Sequence, residues 1–472
     1  MTQDELVFTP AWQLRDLIRS RQLSPVELTE QLLRRIEALN PRLNAYLTVC
    51  AEEALAAARE AEAAVVRGGE LGPLHGLPIS IKDMELTRGI RTTIGSLVYQ
   101  DLVPQEDSVV AERVRRSGAI ILGKTNTPEF GMSGTTENRL GDACRNPWDP
   151  ERTSGGSSGG AGAALAAGLC SLATGSDGGG SIRIPSSLCG LYGIKPTQGR
   201  VPRAGGVGKP AFSSYAQAGP MARTVRDAAL LLQVLAGPDR RDPVCLWEEP
   251  PDFVAAAAQP ARGLRLAWSP DLGYAAVEPE VTRIASEAAL VFQQLGCTVE
   301  EVPLSFEHPY PYFLAIYASS GYAAEGHLLE EDRDRLTNYV VRVLEHGRSV
   351  QGWEFSRSLR FFDEFRARMR ELLERYDLLL TPTLATTAFP VGQPPRTING
   401  REVDWWAGFF PFTFPFNMTG QPAASIPCGF TSAGLPVGLQ IIGRLKEEET
   451  VLRASATFEE ARPWQATRPP VG

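Results

Sequence analysis

GSDGGGSIRIP, residues 175–185, sets Gly178, Gly179 and Gly180 directly before Ser181, with Asp177 upstream of the run and Arg183 two positions past the serine. Glycine loses more conformational freedom on folding than any other residue, so three in succession call for a use. What they offer is main-chain N–H groups unshielded by side chains, able to lie about 3 Å from an oxyanion forming on a bound carbonyl. A serine closing that run is placed to attack the same carbonyl. Taken by itself the stretch also allows a plain flexible turn with Ser181 as a helix cap.

Two upstream stretches add groups of the right kind. GGSSGGAGAALAAG, residues 155–168, puts Ser157 at the mouth of a small-residue helix expected over 157–169, which allows close packing against a neighbour. In GLPISIKD, residues 76–83, Leu77, Ile79 and Ile81 alternate with Pro78, Ser80 and Lys82, the pattern of a half-buried strand. Lys82 then projects from the opposite face to the isoleucines, near the strand end. Lysine is scarce here: of 47 Lys plus Arg only Lys82, Lys124, Lys195, Lys209 and Lys446 are lysine. A desolvated ammonium can lose its proton and act as a base, whereas a guanidinium cannot.

Two other motifs compete for attention. GAIILGKT, residues 118–125, satisfies the phosphate-loop pattern letter for letter. That loop needs inward-pointing amides and a helix beginning at Lys-Thr, whereas Ala-Ile-Ile-Leu followed by Asn126-Thr127-Pro128 reads as a buried strand. GGSSG, residues 155–159, matches a nucleophile elbow, which requires a histidine partner. His75 precedes it in a Gly-Pro turn, and His308, His327 and His346 lie in aromatic or charged helical surroundings that suit structural roles.

The rest of the chain reads as α/β. Ser24-Pro25-Val26-Glu27 predicts a capped helix start with a capping box, Leu28, Leu32, Leu33 and Ile36 its apolar stripe, and Asn40-Pro41 its end. An Ala/Glu-rich helix follows, up to Gly68-Gly69, so residues 1–70 read as helical throughout. A helix then a strand are expected over 112–122, loop over most of 196–220, a helix over 222–235, a surface excursion over 236–251, and strand–helix–strand over 263–303. The 472 residues carry a net charge of −8 with both signs interspersed, which disfavours a nucleic-acid partner. Seven cysteines, odd in number and without a CxxC pair, read as mostly buried free thiols in a reducing compartment. With no leader-like N-terminus and no apolar run long enough for a bilayer, a cytoplasmic protein is expected, with no membrane association.

Taken together, these motifs resemble the amidase signature family. The resemblance rests on GSDGGGSIRIP, GGSSGGAGAALAAG and GLPISIKD. It extends to LGKTNTPEFGMSGTTEN (122–138), NPWDPERTSGGSSGG (146–160), LLLTPT (378–383) and FNMTGQPAASIPCGFTSAGLPVGLQIIGR (416–444). It is dense over 71–205, clear again from 372, and poor over 240–370. It implies a single large α/β domain, 1–472, with a central mixed sheet flanked by helices. Within it, 1–70 is an N-terminal helical segment, 71–235 the signature core, 240–370 a variable substrate-facing region and 372–472 the C-terminal part of the core.

Carried over by position, the resemblance implies Ser181 as nucleophile, Ser157 as bridging serine after a cis Gly156–Ser157 peptide, and Lys82 as base. The amides of Gly178, Gly179, Gly180 and Ser181 would form the oxyanion hole. Ser158, Ser176, Asp177 and Arg183 would support these groups, Asp177 and Arg183 being open to a purely structural ion pair. Met132, Ser133 and Gly134 fall on a segment that faces substrate. No metal or organic cofactor is implied, the partner is a small-molecule amide, and a homodimer is compatible with the sequence. Two departures stand out: Gly178 where the family more often has threonine, and Ser186 where alanine is usual.

Within the family the residues around Ser181 look most like 6-aminohexanoate oligomer or cyclic-dimer hydrolases and related general amidases. The glutaminase chain of the glutamyl-tRNA amidotransferases is the alternative, although that branch usually carries glutamine where Ile184 stands. A non-catalytic nucleotide-binding protein is the third reading. Tyr310, Tyr312 and Phe313, and Trp405, Trp406, Phe409, Phe410 and Phe412, suit ordinary core before they suit a pocket lining.

Overall fold

The computed structural model describes residues 3–205 and 215–471. Eleven strands form one mixed sheet. In chain order they are β1 (Tyr46–Val49), β2 (Pro78–Lys82), β3 (Ile120–Thr125), β4 (Leu172–Asp177), β5 (Tyr192–Lys195) and β6 (Gln217–Ala222). They continue with β7 (Arg265–Trp268), β8 (Thr298–Glu301), β9 (Leu378–Pro382), β10 (Ala423–Phe430) and β11 (Pro436–Gly443). Across the sheet the order is β1-β3-β2-β4-β6-β5-β10-β11-β9-β7-β8. β3, β2 and β4 run parallel, as do β9, β7 and β8, while the strands between and β1 pair antiparallel. The helices that bear on the site or on the sequence reading are α1 (Pro25–Leu43), α2 (Ala51–Arg67), α3 (Val109–Arg116), α4 (Gly159–Ala166), α5 (Arg183–Cys189), α6 (Val225–Leu235), α7 (Pro279–Gln294) and α8 (Tyr310–Glu325).

β2 is buried at all five positions rather than on one face. It sits between two parallel partners, and parallel strands are covered on both sides. GAIILGKT folds as the buried β3, with no phosphate loop. Its Lys124 donates to Glu85 O (2.6 Å) and Thr92 Oγ1 (2.7 Å), with Asp83 Oδ1 at 3.7 Å.

Ser24 caps α1 as expected, accepting from the amides of Val26 (3.0 Å) and Glu27 (3.3 Å). The capping box is not closed, and the Ser24 hydroxyl donates instead to Glu62 (2.5 Å). α1 also runs past Asn40-Pro41 to Leu43, because a proline in the last turn forfeits only one helical bond, and it stops where Asn44 turns left-handed (φ 47°). The first 70 residues are not wholly helical: β1 forms the sheet edge, and a four-residue strand between two strong helices leaves little periodic trace. Over 196–220, β6 begins at Gln217, and residues 206–214 of that expected loop lie outside the described residues. α3, α6, β7, α7 and β8 fall where the sequence places a helix or strand, and 237–251 holds no regular element.

The small residues of α4 are a packing requirement. A Cβ on Gly160 would lie 2.2 Å from Asn126 N, and one on Gly162 3.0 Å from Pro185 Cβ. α4 therefore presses onto the β3–α5 layer closely enough to bring Ser157 and Ser158, just before it, up to the ends of β2 and β4. Among the described residues no helix is long and apolar enough to cross a membrane.

Candidate active site

Lys82 ends β2 and Ser176 lies near the end of the neighbouring parallel β4, so both project at the carboxyl edge of the sheet, where α/β folds place their ligands. Lys82 Nζ is 2.6 Å from Ser157 Oγ, 2.9 Å from Ser158 Oγ and 3.0 Å from Ser176 Oγ. The side chain is fully buried and forms no ion pair among the described residues. Burial lowers its pKa to about 7, with Asp177 and Glu85 only partly opposing the fall from longer range. A neutral amine here has a lone pair for the Ser157 hydroxyl, its shortest contact, and N–H groups for the others.

The Gly156–Ser157 peptide is cis, as the resemblance implies. Ser158 N–H donates to Ser181 O (3.2 Å), which holds the two serine segments side by side, and Ser157 and Ser181 line one cavity. The Ser181 hydroxyl makes no hydrogen bond among the described residues, and catalytic contacts of this kind often tighten only once substrate is bound.

Asp177 and Arg183 form a fully buried bidentate pair (2.9 and 3.0 Å). The guanidinium also donates to Thr413 O (2.8 Å), Gln440 Oε1 (2.7 Å) and Asn417 Oδ1 (2.7 Å), leaving it fully matched. Burial would raise the Asp177 carboxyl, but Arg183 and Asn417 more than offset it and hold the group at about 2. That ionised carboxylate accepts from the amides of Gly180 (2.7 Å) and Ile182 (3.2 Å), which pins the glycine loop despite the extra glycine at 178. It also corrects one expectation. The Gly180 N–H donates to Asp177 and is not free for an oxyanion, whereas Gly178, Gly179 and Ser181 line the cavity.

The glycines are not equivalent. Gly180 has φ +131°, and a Cβ there would lie 2.3 Å from Thr413 Oγ1, the hydroxyl that donates to Gly179 O (2.6 Å). A Cβ on Gly178 would meet Ala216 Cβ at an ordinary 3.4 Å. Gly180→Ala is therefore expected to lose about 3 kcal/mol in a denaturant titration and Gly178→Ala less than about 1 kcal/mol. Equal losses would contradict this account of the loop.

The cavity holds about 140 Å³. Met132, Ser133 and Gly134 line it. Of the aromatic clusters, Phe313, Trp406 and Phe410 reach it; Phe409 and Phe412 stay in the core around it, and Tyr310, Tyr312 and Trp405 are partly buried against that core. From residues 240–370 only α8 contributes, through Phe313, Tyr317, Ser320, Gly321, Ala324 and Glu325. Sequence reasoning missed that helix face, although its spacing of about one turn was there to read, and it missed Thr413, Asn417 and Gln440 as the holders of Arg183. None of the four histidines lines the cavity, and His75 Nε2 is 3.0 Å from Ala61 O.

A lysine–serine cluster beside a serine on a glycine loop can carry out acyl transfer, and the chain matches the Amidase family model over residues 27–452. The chain belongs to the amidase signature family. An acylamidase of Rhodococcus erythropolis is 38% identical to it, over 99% of this chain and 98% of that one. The A-type component of a glutamyl-tRNA(Gln) amidotransferase from Moorella thermoacetica is 39% identical, over 99% of each. Among solved structures, a bacterial aryl acylamidase of the amidase signature family superposes with a TM-score of 0.90 at 33% identity, covering 98% of this chain and 99% of that one. A 6-aminohexanoate cyclic dimer hydrolase superposes at 0.87 and 31% identity, with the same coverage. The chain is thus an amidase signature hydrolase acting on amide C–N bonds, built as one domain around a large mixed sheet. The likeness extends through residues 240–370, where the motifs themselves are sparse.

Proposed function

We propose that this amidase hydrolyses amides of small apolar acyl or aryl groups, linear or cyclic aliphatic amides included, through an acyl-enzyme on Ser181. The contact of 2.6 Å between Ser157 Oγ and the buried amine of Lys82, which has no carboxylate partner, carries the reading. Neutral Lys82 takes the Ser157 proton as Ser157 takes that of Ser181, and Ser181 Oγ adds to the amide carbon. The oxyanion meets the N–H groups of Gly178, Gly179 and Ser181, each donor lowering the barrier by about 3 kcal/mol. The proton returns along the same path to the leaving nitrogen, the C–N bond breaks, and water then repeats the relay to release the acid. The apolar walls at Met84, Ile94, Phe313 and Phe410 support an apolar acyl or aryl group. Seven free cysteines, six of them buried, support a reducing cytoplasmic setting.

The experiment is to mix the purified chain with acyl anilides and aliphatic amides, follow amine release, and look by mass spectrometry for the acyl group on the peptide holding Ser181. Amine release with acylated Ser181 is expected, and release without any acyl-enzyme would overturn the mechanism. The identity to the Moorella protein favours a second reading, a glutaminase within an amidotransferase. It predicts ammonia from glutamine only when partner chains and charged tRNA are supplied. Ile184 lining the cavity, where glutamine is usual in that branch, speaks for the first.

A further inference from the structure

The far wall of the cavity carries a group for which the acyl-transfer steps have no use. Glu325 closes α8, is 4% exposed and lines the cavity, yet its carboxyl has no hydrogen bond and no ion pair among the described residues. Its oxygens are not among the enclosed polar atoms that lack a partner; they open onto the cavity, so their partner there is whatever the cavity holds. The nearby Glu129 shows the ordinary solution: 1% exposed, it accepts from Ser96 Oγ (2.6 Å), Thr337 N (2.6 Å) and Thr337 Oγ1 (2.7 Å). The charged groups acting on Glu325 are His327 and Glu129, and burial raises its pKa. Arg203, the cavity's cation, donates to Ala216 O (3.0 Å) and is not among them.

Position gives the missing partner its shape. The face of α8 that lines the cavity starts at Phe313, against which a Cβ on Gly179 would lie 3.0 Å away, and ends at Glu325. Those residues are roughly 18 Å apart along a helix rising about 1.5 Å per residue. Between them stand Tyr317 and Gly321, the latter facing Met132, whose Cε would be 3.0 Å from an added Cβ. The path from the glycine loop to the carboxyl thus runs past Phe313, Tyr317, Gly321 and Met132, with Ser320 the one hydroxyl of that helix face before the acidic end, Tyr317 aside.

We propose that Glu325 is a specificity-determining residue that receives a cationic amine carried by the amide substrate at the end of an apolar spacer. This rests on the Ser181 reading for where the scissile carbonyl sits. An ammonium would supply the donors that the carboxyl lacks, in a site where desolvation strengthens the pairing.

The test compares matched pairs of amides: 8-aminooctanoyl against octanoyl p-nitroanilide, and N-(8-aminooctyl)benzamide against N-octylbenzamide. Calorimetry on Ser181→Ala measures binding, and kcat/KM with Ser181 intact measures turnover. In at least one pair the aminated member should be preferred, mainly through Kd and KM, and Glu325→Gln should cut that preference about tenfold, with Glu325→Leu cutting it at least as far. No preference in either pair, or a preference that both variants keep, overturns the proposal. Because binding is read on a chain that cannot form the acyl-enzyme, failure of the Ser181 mechanism would appear separately, as turnover without acylated Ser181.

Discussion

Ser181→Ala lowers kcat/KM for any amide this chain hydrolyses by at least about 10⁴-fold and leaves the fold intact. The loss is large because no other hydroxyl can take over the attack. Ser157 and Ser158 are engaged by Lys82, and only Ser181 closes the glycine loop that lines the cavity. Residual catalysis from the remaining oxyanion donors and binding is what removal of a nucleophile leaves behind. Stability should shift by less than about 0.5 kcal/mol, since the Ser181 hydroxyl is partly exposed and holds no structural bond. Anilide hydrolysis and a thermal melt on the same preparation check both halves. Activity within tenfold of the parent would remove Ser181 from the chemistry.

Lys82→Met is the second large effect, about 10³-fold or more in kcat/KM, because it removes the one base within reach of Ser157 while keeping the volume. It carries a stability signature of known sign. In the unfolded chain Lys82 titrates near 10.5 and in the fold at about 7. Below pH 7 the group is protonated in both states and the cost of burying its charge is fully present. Between pH 7 and 10.5 the unfolded chain binds more protons than the folded one, so this contribution makes stability rise with pH. Lys82→Met lacks that slope. The stability of the parent relative to the variant should therefore increase by up to about 4 kcal/mol from pH 6.5 to 10, read by denaturant titration. A difference that stays flat, or falls, would mean that Lys82 is not desolvated.

How far such a site can be read from sequence depends on whether its causes are local. The glycines before Ser181 are local and point to chemistry from the sequence alone, whereas the alternation around Lys82 marks the strand but not its burial, since β2 is covered on both faces. The scarcity of lysine is a weaker guide. Lys124 and Lys195 are buried as fully as Lys82, yet they are held by Glu85, Thr92 and Pro196 and lie outside the cavity. Which amides stay free was not legible, because the Gly180 N–H is claimed by a carboxylate whose position depends on Arg183, and Arg183 depends on Thr413, Asn417 and Gln440 more than 200 residues away. The α8 wall escaped for the same reason. Its spacing defines a face, but only the packing of the helix over the glycine loop shows that this face lines the cavity. β1 was hidden differently, as four residues that become a strand only because β3 offers an unpaired edge.

The central claim is that the amine of Lys82 is neutral at working pH and draws the Ser181 proton through Ser157. The rate at which a fluorophosphonate modifies Ser181, followed from pH 5 to 9, tests it most directly, since it reads the activated hydroxyl without product release. The account predicts a rate that rises through an apparent pKa of about 7 and levels off above it, and a rate at least about 100-fold lower and without that rise in Lys82→Met. Equal rates in parent and variant with the same pH dependence would contradict it.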